Sequence, residues 1–550
     1  MPKVRLALAQ TNPVVGDIEG NVELVFEQVK SAAESGADII LFGEMVVTGY
    51  PIEDLATREH FVGKAEAAVE RLASRLQDSG YGELAVVVGH PALAAPASRN
   101  GWAIAHNSAS VLFGGQVKAQ YFKHHLPNYS VFDEYRNFVP GDQVTVFDHL
   151  GVKFGMVICE DIWQEGGPVS KLHTAGAEVA LILNGSPFEI DKDDRRLELV
   201  QKLAKTQGVV AAYANLVGGQ DDLVFDGDSI VVNADGSVVS RGYQFDTDLI
   251  LVDIENGVAT RADAHPVVKR DDLWQAWNAL VTGLRDYCAK NRFKSVVLGL
   301  SGGIDSAVCA AIASDAIGAA NVFGVSMPSK YSSDHSKSDA FDLADRLGCH
   351  IETVAIEDMV NAFESNLKLG GVASENLQAR VRGVILMGLS NANGHLTLTT
   401  GNKTELAVGY STIYGDSVGG FAPIKDVEKT LVWELARWRN QIAEDAGETP
   451  PIPENSISKP PSAELRPGQV DQDSLPDYEI LDNILELYVG QHSSPDQIIA
   501  KGFNSEMVSK VVKLVNRAEW KRRQAAIGPK ITGMAFGRDR RLPITNGYED

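Results

Sequence analysis

The chain has 550 residues, 44% of them hydrophobic, with 73 acidic against 50 basic side chains and a formal net charge of −23. One hydrophobic core stops growing near about 250–300 residues, so this length predicts at least two domains. The acidic surplus excludes a general affinity for nucleic acid or anionic lipid; any polyanion that binds must be met by local groups.

No run approaches the ~18 apolar residues of a membrane span. The first apolar stretch, in MPKVRLALAQTNPVVGD, breaks at Gln10-Thr11-Asn12-Pro13, too early for a secretory core. Cys159, Cys288, Cys309 and Cys349 form no Cys-x-x-Cys pair and no zinc-like spacing. We therefore expect a reducing, cytoplasmic setting, with neither nucleic acid nor a membrane as partner.

In chain order, the first half alternates short apolar runs with amphipathic stretches. VRLALAQ is followed by NVELVFEQVKSAAESG and ADIILFGE, then by LAVVVGHP, SASVLF, KFGMVIC, AEVALILNGS, VVAAYANLVG and DSIVVN. Strands mixed with helices in this way predict a layered α/β domain. The polar stretch ENGVATRADAHPVVKRDD, residues 255–272 with Pro266 inside it, is the expected boundary, giving domains 1–262 and 263–550. The second half restarts with the amphipathic DDLWQAWNALVTGLRDYCAKN and the strand SVVLGL. NVFGVSMP, HIETVAI and HLTLTTG follow, separated by helical periodicity, which predicts a parallel sheet covered on both faces. Seven of the 22 prolines fall between Glu448 and Asp477, so that segment is read as a lid, a linker or disorder.

SVVLGL as a strand and IDSAVCAAIASDAIG as a helix leave Ser301-Gly302-Gly303 as the turn between them. Glycines there permit positive φ and turn backbone N–H groups toward an anion, to which the helix N-terminus adds partial positive charge. Ser301 and Ser306 are hydroxyl donors for phosphate, and Asp305 is a candidate Mg²⁺ ligand; a plain tight turn with a capped helix is the simpler alternative. Neither G-x-x-x-x-G-K-[ST] nor G-x-G-x-x-G is present.

SGGIDS resembles the pyrophosphate loop of the ATP pyrophosphatases, which adenylate a substrate and release pyrophosphate. Three further stretches, ASENLQARVRGVILMGLSN (373–391), TLTTGNKTELAVGYSTIYGDSVGGFAPIKDVEKT (397–430) and KITGMAFGRDRRLPI (530–544), follow it in order. Together they are similar to the NAD⁺ synthetase family over most of residues 270–550. The resemblance implies a doubly wound, Rossmann-like domain of the adenine nucleotide alpha hydrolase type. It implies that Gly299, Leu300, Ser301, Gly302, Gly303, Ile304, Asp305 and Ser306 hold the ATP phosphates, that Thr400 contacts ATP, and that Asp305 and Glu405 bind Mg²⁺. It implies further that Asn376, Glu405, Tyr410, Ser411, Thr412, Ile413 and Lys530 face deamido-NAD⁺. Arg380, Arg382 and Lys425 are expected either near phosphates or as solvated charges. Ser458, Lys459 and Ser462 of the Pro-rich segment are expected to descend on ATP if that segment closes.

The chemistry suits these residue types. A nicotinate carboxylate is a poor acceptor for nitrogen until ATP converts it to an acyl-adenylate; donors and a cation stabilise the leaving pyrophosphate, and ammonia displaces AMP. Free ammonia is scarce at neutral pH, so a nitrogen source is expected in the first half. GMVICEDIW sets Cys159 directly after an apolar strand, where a turn would present the thiol at the sheet edge. LFGEMVVTGYP ends a strand on Glu44, and YFKHHLPNYSVFDEYRNF offers Lys123 and Glu134. Taken singly, Glu44 and Lys123 also fit charged strand ends. His124 and His125 invite a Cys–His pair.

Strand-end Glu, Lys in K-x-x-L-P and strand-end Cys resemble the nitrilase and carbon–nitrogen hydrolase superfamily over about residues 4–255. That resemblance implies an α-β-β-α sandwich, with Cys159 attacking the glutamine amide, Glu44 moving protons, Lys123 stabilising the oxyanion and Glu134 orienting the lysine or relaying protons. Tyr129, Ser186 and Lys192 are implied to bind L-glutamine, and the two histidines to be structural. Together the two halves imply ATP-dependent amidation of deamido-NAD⁺ with nitrogen from glutamine, passed through a shielded tunnel, in a homo-oligomer. The rivals are an amidotransferase acting on a purine nucleotide or aspartate, an RNA-modifying pyrophosphatase, and a non-catalytic glutamine-binding module fused to an ammonia-dependent synthetase.

Overall fold

The computed structural model describes residues 3–263 and 268–548. Two units divide the chain: residues 1–220 with 224–271, and residues 221–223 with 272–550. Pro266, within the expected boundary, lies outside the described residues.

Two sheets face each other in the first unit. One has seven strands in the order Val258–Arg261, Asp248–Glu255, Lys3–Gln10, Ile39–Phe42, Ala85–Leu93, Ala105–Phe113 and Gln116–Phe122. The other has six, in the order Val238–Arg241, Ile230–Val232, Val210–Ala214, Val179–Leu183, Val152–Ile158 and Val146–His149. Strand periodicity sorts their side chains. Phe154, Met156 and Ile158, with Val179, Leu181 and Leu183, join Leu6, Leu8 and Leu41 in the core between the sheets. The alternate residues Val157, Ala180 and Ile182 face outward and are covered by Val200, Leu203 and Ala204 of the Lys192–Gln207 helix. The Glu59–Asp78 helix covers the other sheet, completing the expected α-β-β-α sandwich.

In the second unit a four-stranded parallel sheet runs in the order His350–Thr353, Val322–Ser326, Val296–Gly299, Leu396–Thr397. Chain order reverses beside Val296–Gly299, so the carboxyl end of that strand is the switch point where parallel sheets open a crevice. The Ile304–Ile317 helix, apolar almost all round, is buried beneath the Asp272–Lys290 and Lys429–Asp445 helices. The Val372–Asn393 helix supplies Leu377, Val381 and Leu386 to the core formed with Val297 and Val325. A separate helical cluster joins Lys403–Val408, Tyr478–Leu485, Pro495–Ala500 and Ser505–Arg517. The Pro-rich segment is folded and holds the short helix Glu454–Ser458.

Candidate active sites

In the first unit, strand ends deliver a buried ionic group. Glu44 follows Ile39–Phe42, Lys123 follows Gln116–Phe122, and Cys159 follows Val152–Ile158. Lys123 Nζ lies 2.8 Å from Glu44 Oε1 and 2.8 Å from Glu134 Oε2, with all three side chains shielded from solvent. Asn107 Nδ2 donates to Glu44 Oε1 at 2.6 Å, and the Gly185 N–H donates to Glu44 Oε2 at 3.0 Å. Tyr50 donates its hydroxyl to Glu134 Oε1 at 2.8 Å.

Cys159 has φ of 40°, a left-handed conformation that costs a β-carbon-bearing residue about 1–3 kcal/mol and aims its thiol off the strand end. Asp161 holds this turn. Its carboxylate accepts from the N–H groups of Ile158 (3.2 Å), His124 (3.1 Å) and His125 (2.8 Å) and from the Tyr121 hydroxyl (2.7 Å). One buried carboxylate thereby ties the Cys159 turn to the segment that follows Lys123.

Burial pushes the Cys159 thiol well above its ordinary range, and Glu44 pushes further, against Lys123. The resting thiol is protonated, and a thiol in that state acts as a nucleophile only where a base takes its proton. Burial opposes the charge on Lys123, but Glu134 and Glu44 outweigh it and keep the ammonium charged. Burial raises Glu134 to about 7 despite Lys123. A fixed cation beside a thiol and a carboxylate can stabilise an oxyanion.

Of the expected glutamine ligands, Ser186 is buried one residue after Gly185, and its backbone N–H donates to Asn215 Oδ1 at 3.0 Å. Tyr129 donates its hydroxyl to Glu160 Oε2 at 2.9 Å, one residue after Cys159. Lys192 Nζ lies 3.3 Å from Glu189 Oε1. His124 Nδ1 is bonded to the Gly141 carbonyl at 2.6 Å and His125 packs edge-on to it, so neither forms a pair with the thiol. Asn107, Tyr50 and Asp161 were missed in the sequence. The signal for Asn107 is the run His106-Asn107-Ser108, polar and buried inside a strand.

The second unit holds a cavity of about 470 Å³ at the switch point. Gly299, Leu300, Ser301, Gly303, Ile304, Asp305 and Ser306 line it, together with Thr399 and Thr400. Gly302 has φ of 75°, and a Cβ there would come within 2.4 Å of the Ser336 carbonyl oxygen, so only glycine closes this turn. Gly303 N–H donates to Ser301 Oγ at 3.2 Å, and no side chain caps the helix that begins at Ile304. The uncapped N-terminus of this helix is thus open to an anion.

Asn402 caps the Lys403–Val408 helix reciprocally with Glu405: Glu405 N–H donates to Asn402 Oδ1 at 2.9 Å and Asn402 N–H to Glu405 Oε2 at 3.3 Å. Asn402 Nδ2 also donates to Asp305 Oδ1 at 2.9 Å. Lys429 is bonded to Asp305 Oδ2 and lies 3.9 Å from Glu405 Oε1. Burial, and after it Asp305, pushes Glu405 up to about 8 against Lys429. The two half-buried carboxylates, which here share the Lys429 ammonium, offer oxygen ligands of the kind a hard divalent cation takes. Lys429 was passed over in the sequence because nothing near it in DVEKTLV marks it.

Asn376, Tyr410, Ser411 and Thr412 also line the cavity, and Thr412 donates its hydroxyl to Asn376 Oδ1 at 2.9 Å. Lys530 is not brought there: it is buried 3.2 Å from Asp539. Ile413 is not among the lining residues either, and its carbonyl accepts from Arg380 Nε at 3.2 Å. Arg382 does line the cavity; burial lowers its pKa, against Glu464 and Asp416. Lys425 does not, and faces Asp222 and Asp426 instead.

Lys459 and Ser462 of the Pro-rich segment reach the cavity, whereas Ser458 is exposed and turned back on Glu454. Ser456 and Glu464 are there as well. Ser456 Oγ donates to the Gly302 carbonyl at 3.1 Å, and Glu464 accepts from the Ser333 and Ser336 hydroxyls at 2.9 and 2.7 Å.

Fold and sites define a two-part enzyme of amide chemistry, a cysteine amidase unit joined to a nucleotide-using unit built on a phosphate turn. The model of the carbon-nitrogen hydrolase family matches residues 5–263 and that of NAD synthase matches residues 276–525. The glutamine-dependent NAD(+) synthetase of Acinetobacter baylyi is 46% identical over 100% of this chain and 99% of its own length; that of Thermotoga maritima is 41% identical over the whole of both. The chain belongs to the glutamine-dependent NAD(+) synthetase family. A solved relative from Acinetobacter baumannii, in complex with adenosine diphosphate, is 42% identical with a TM-score of 0.77 over 99% of each chain. A second, from Cytophaga hutchinsonii, shares the fold with a TM-score of 0.83 at 22% identity, covering 99% of this chain and 98% of its own.

Proposed function

We propose that this chain makes NAD⁺ from deamido-NAD⁺ and ATP with nitrogen taken from L-glutamine, yielding AMP, pyrophosphate and glutamate. The observation that carries the reading is that one chain holds both a strand-end thiol set against a Glu–Lys–Glu group and a phosphate turn flanked by paired carboxylates.

At the first site the Cys159 sulfur attacks the glutamine carboxamide carbon while Glu44 takes the thiol proton. Lys123, held by Glu134, stabilises the oxyanion. Glu44 returns the proton to the departing ammonia, and water then attacks the thioester with Glu44 again as base, releasing glutamate. Ser186, Lys192 and Tyr129 hold the glutamine.

At the second site Gly299 to Ser306 and Thr400 receive the ATP phosphates, and Asn376, Glu405, Tyr410, Ser411 and Thr412 the deamido-NAD⁺. The carboxylate of deamido-NAD⁺ attacks the α-phosphorus and pyrophosphate leaves; ammonia then displaces AMP from the acyl-adenylate. Asp305 and Glu405 would hold Mg²⁺, which when bound supplies neutralising charge to the phosphates. Ammonia passes from one site to the other through a shielded path, so added unlabelled ammonium should not dilute the glutamine nitrogen in the product.

The setting proposed is cytoplasmic, in keeping with four unpaired cysteines. The assembly proposed is a homo-oligomer, in keeping with exposed Val372, Val384 and Met387 on one long helix. A product assay with native chain and Cys159→Ala tests the whole reading: native protein should form NAD⁺ from glutamine or ammonium, and the variant from ammonium alone. Pyrophosphate release with another acceptor and no NAD⁺ would sink the synthetase assignment; glutamine use by the variant would sink the role of Cys159.

A further inference from the structure

Beside the glutamine site lies a buried ionic cluster that the chemistry above leaves unused. Arg196, in the second turn of the Lys192–Gln207 helix, is fully buried. Its Nη1 donates to Asp226 Oδ1 at 2.7 Å and its Nη2 to Asp226 Oδ2, a two-pronged clamp. Next to it Arg241 Nε donates to Asp228 Oδ1 at 2.7 Å, and Arg241 Nη2 reaches Asp193 Oδ2 at 3.5 Å. Withdrawing two guanidinium groups and three carboxylates from water consumes most of what their attraction returns, so such clusters are weak sources of stability. What a forked guanidinium does supply is fixed geometry.

That geometry reaches the glutamine ligands by two short routes. Arg196 Nε donates to the backbone carbonyl of Lys192 at 3.4 Å. The helix there begins after Asp191 at φ of 66° with no side-chain cap; the Lys192 N–H bonds to the Glu189 carbonyl at 3.1 Å, and the Arg196 contact ties this turn to Asp226. On the other route, Asp226 is followed by Gly227, whose carbonyl accepts from Asn215 Nδ2 at 2.9 Å, and Asn215 Oδ1 in turn accepts from the Ser186 N–H at 3.0 Å.

Resting on the reading that Ser186 and Lys192 hold glutamine, we propose that Arg196, clamped by Asp226, is a positioning residue for glutamine recognition. It sets the Lys192 turn and the Asn215–Ser186 pair to fit an α-amino-acid head group, and it takes no part in the carboxamide chemistry.

The test uses the full chain with Arg196→Met, Arg196→Lys and Asp226→Asn, beside Ser186→Ala and Lys192→Ala. Three quantities are read: KM and kcat for glutamine, ammonia-dependent NAD⁺ formation, and the alkylation rate of Cys159 by iodoacetamide, which has no head group to recognise. Arg196→Met and Asp226→Asn should raise the glutamine KM about tenfold or more while kcat changes less than about threefold. Iodoacetamide alkylation and ammonia-dependent synthesis should stay within about twofold, and Arg196→Lys, a charge without the fork, should fall between native and Arg196→Met. An unchanged KM in the Arg196 and Asp226 variants overturns the proposal. So does a parallel loss of KM, kcat and alkylation, which marks a merely structural role. If Ser186→Ala and Lys192→Ala leave KM unchanged, it is the glutamine-site reading that fails. Should Arg196→Met not fold, Arg196→Lys and Asp226→Asn decide the same question.

Discussion

Replacing Glu44 by glutamine separates its role as a base from its role in packing. Glu44 Oε1 accepts from Lys123 and Asn107, and Oε2 accepts from the Gly185 N–H. A glutamine carbonyl can keep the two-donor position, which turns its NH₂ toward Gly185 and leaves one buried donor unmatched, a cost of about 1–3 kcal/mol. Lys123 retains Glu134 at 2.8 Å, so no buried ammonium is stranded. The melting temperature should fall by only a few degrees, at about 2–4 °C per kcal/mol for a unit of this size. A positioned general base contributes about 10²–10⁴ in rate, so glutamine-dependent NAD⁺ formation should fall by that factor. Ammonia-dependent synthesis should persist. The thiol should respond with the opposite sign: without the Glu44 charge that helps raise it, Cys159 ionises more readily, and iodoacetamide at alkaline pH should label it at least as fast as in the native chain. Glutamine turnover within about tenfold of native, or labelling that slows together with turnover, refutes the assignment of Glu44 as base.

Burial raises Glu134 from 4.5 to about 7, so between those values the folded chain keeps a proton that the unfolded chain has released. The stability this supplies is complete below the lower value and is lost as pH rises through about 7; Glu134→Gln should remove that decline from melting curves recorded between pH 5 and 8. Gly302→Ala places a Cβ 2.4 Å from the Ser336 carbonyl oxygen at φ of 75°. It should abolish synthesis from glutamine and ammonium alike, with a stability loss of about 1–3 kcal/mol by thermal unfolding, while Cys159 alkylation stays native. Glu464→Ala removes the acceptor of the Ser333 and Ser336 hydroxyls. Proteinase K cleavage within residues 459–470 should rise several-fold, and ATP with deamido-NAD⁺ should suppress cleavage in the native chain; equal cleavage with and without these ligands would refute a lid role for the segment.

Sequence alone determined the layered α/β architecture, because strand periodicity and glycine turns are local and leave a direct record. Val179, Leu181 and Leu183 face one core and Ala180 and Ile182 the other simply by alternation. It likewise exposed Glu44 and Cys159 at the ends of apolar strands, Lys123 in K-x-x-L-P, and SGGIDS, whose glycine is required by a φ no other residue tolerates well. Tertiary structure alone decided which charges meet. Lys429 reaches Asp305 across 124 residues and Arg196 reaches Asp226 across 30. Asp161 joins the Cys159 turn to the segment 36 residues earlier, and Lys530 pairs with Asp539 and does not line the cavity. Ion pairs and hydrogen bonds act over a few ångströms of space, and a distance in space between residues far apart in the chain leaves no periodic trace in its order. The long-range folding of the strands fixed those meetings, and with them the choice between a reactive group, a positioning group and a solvated charge.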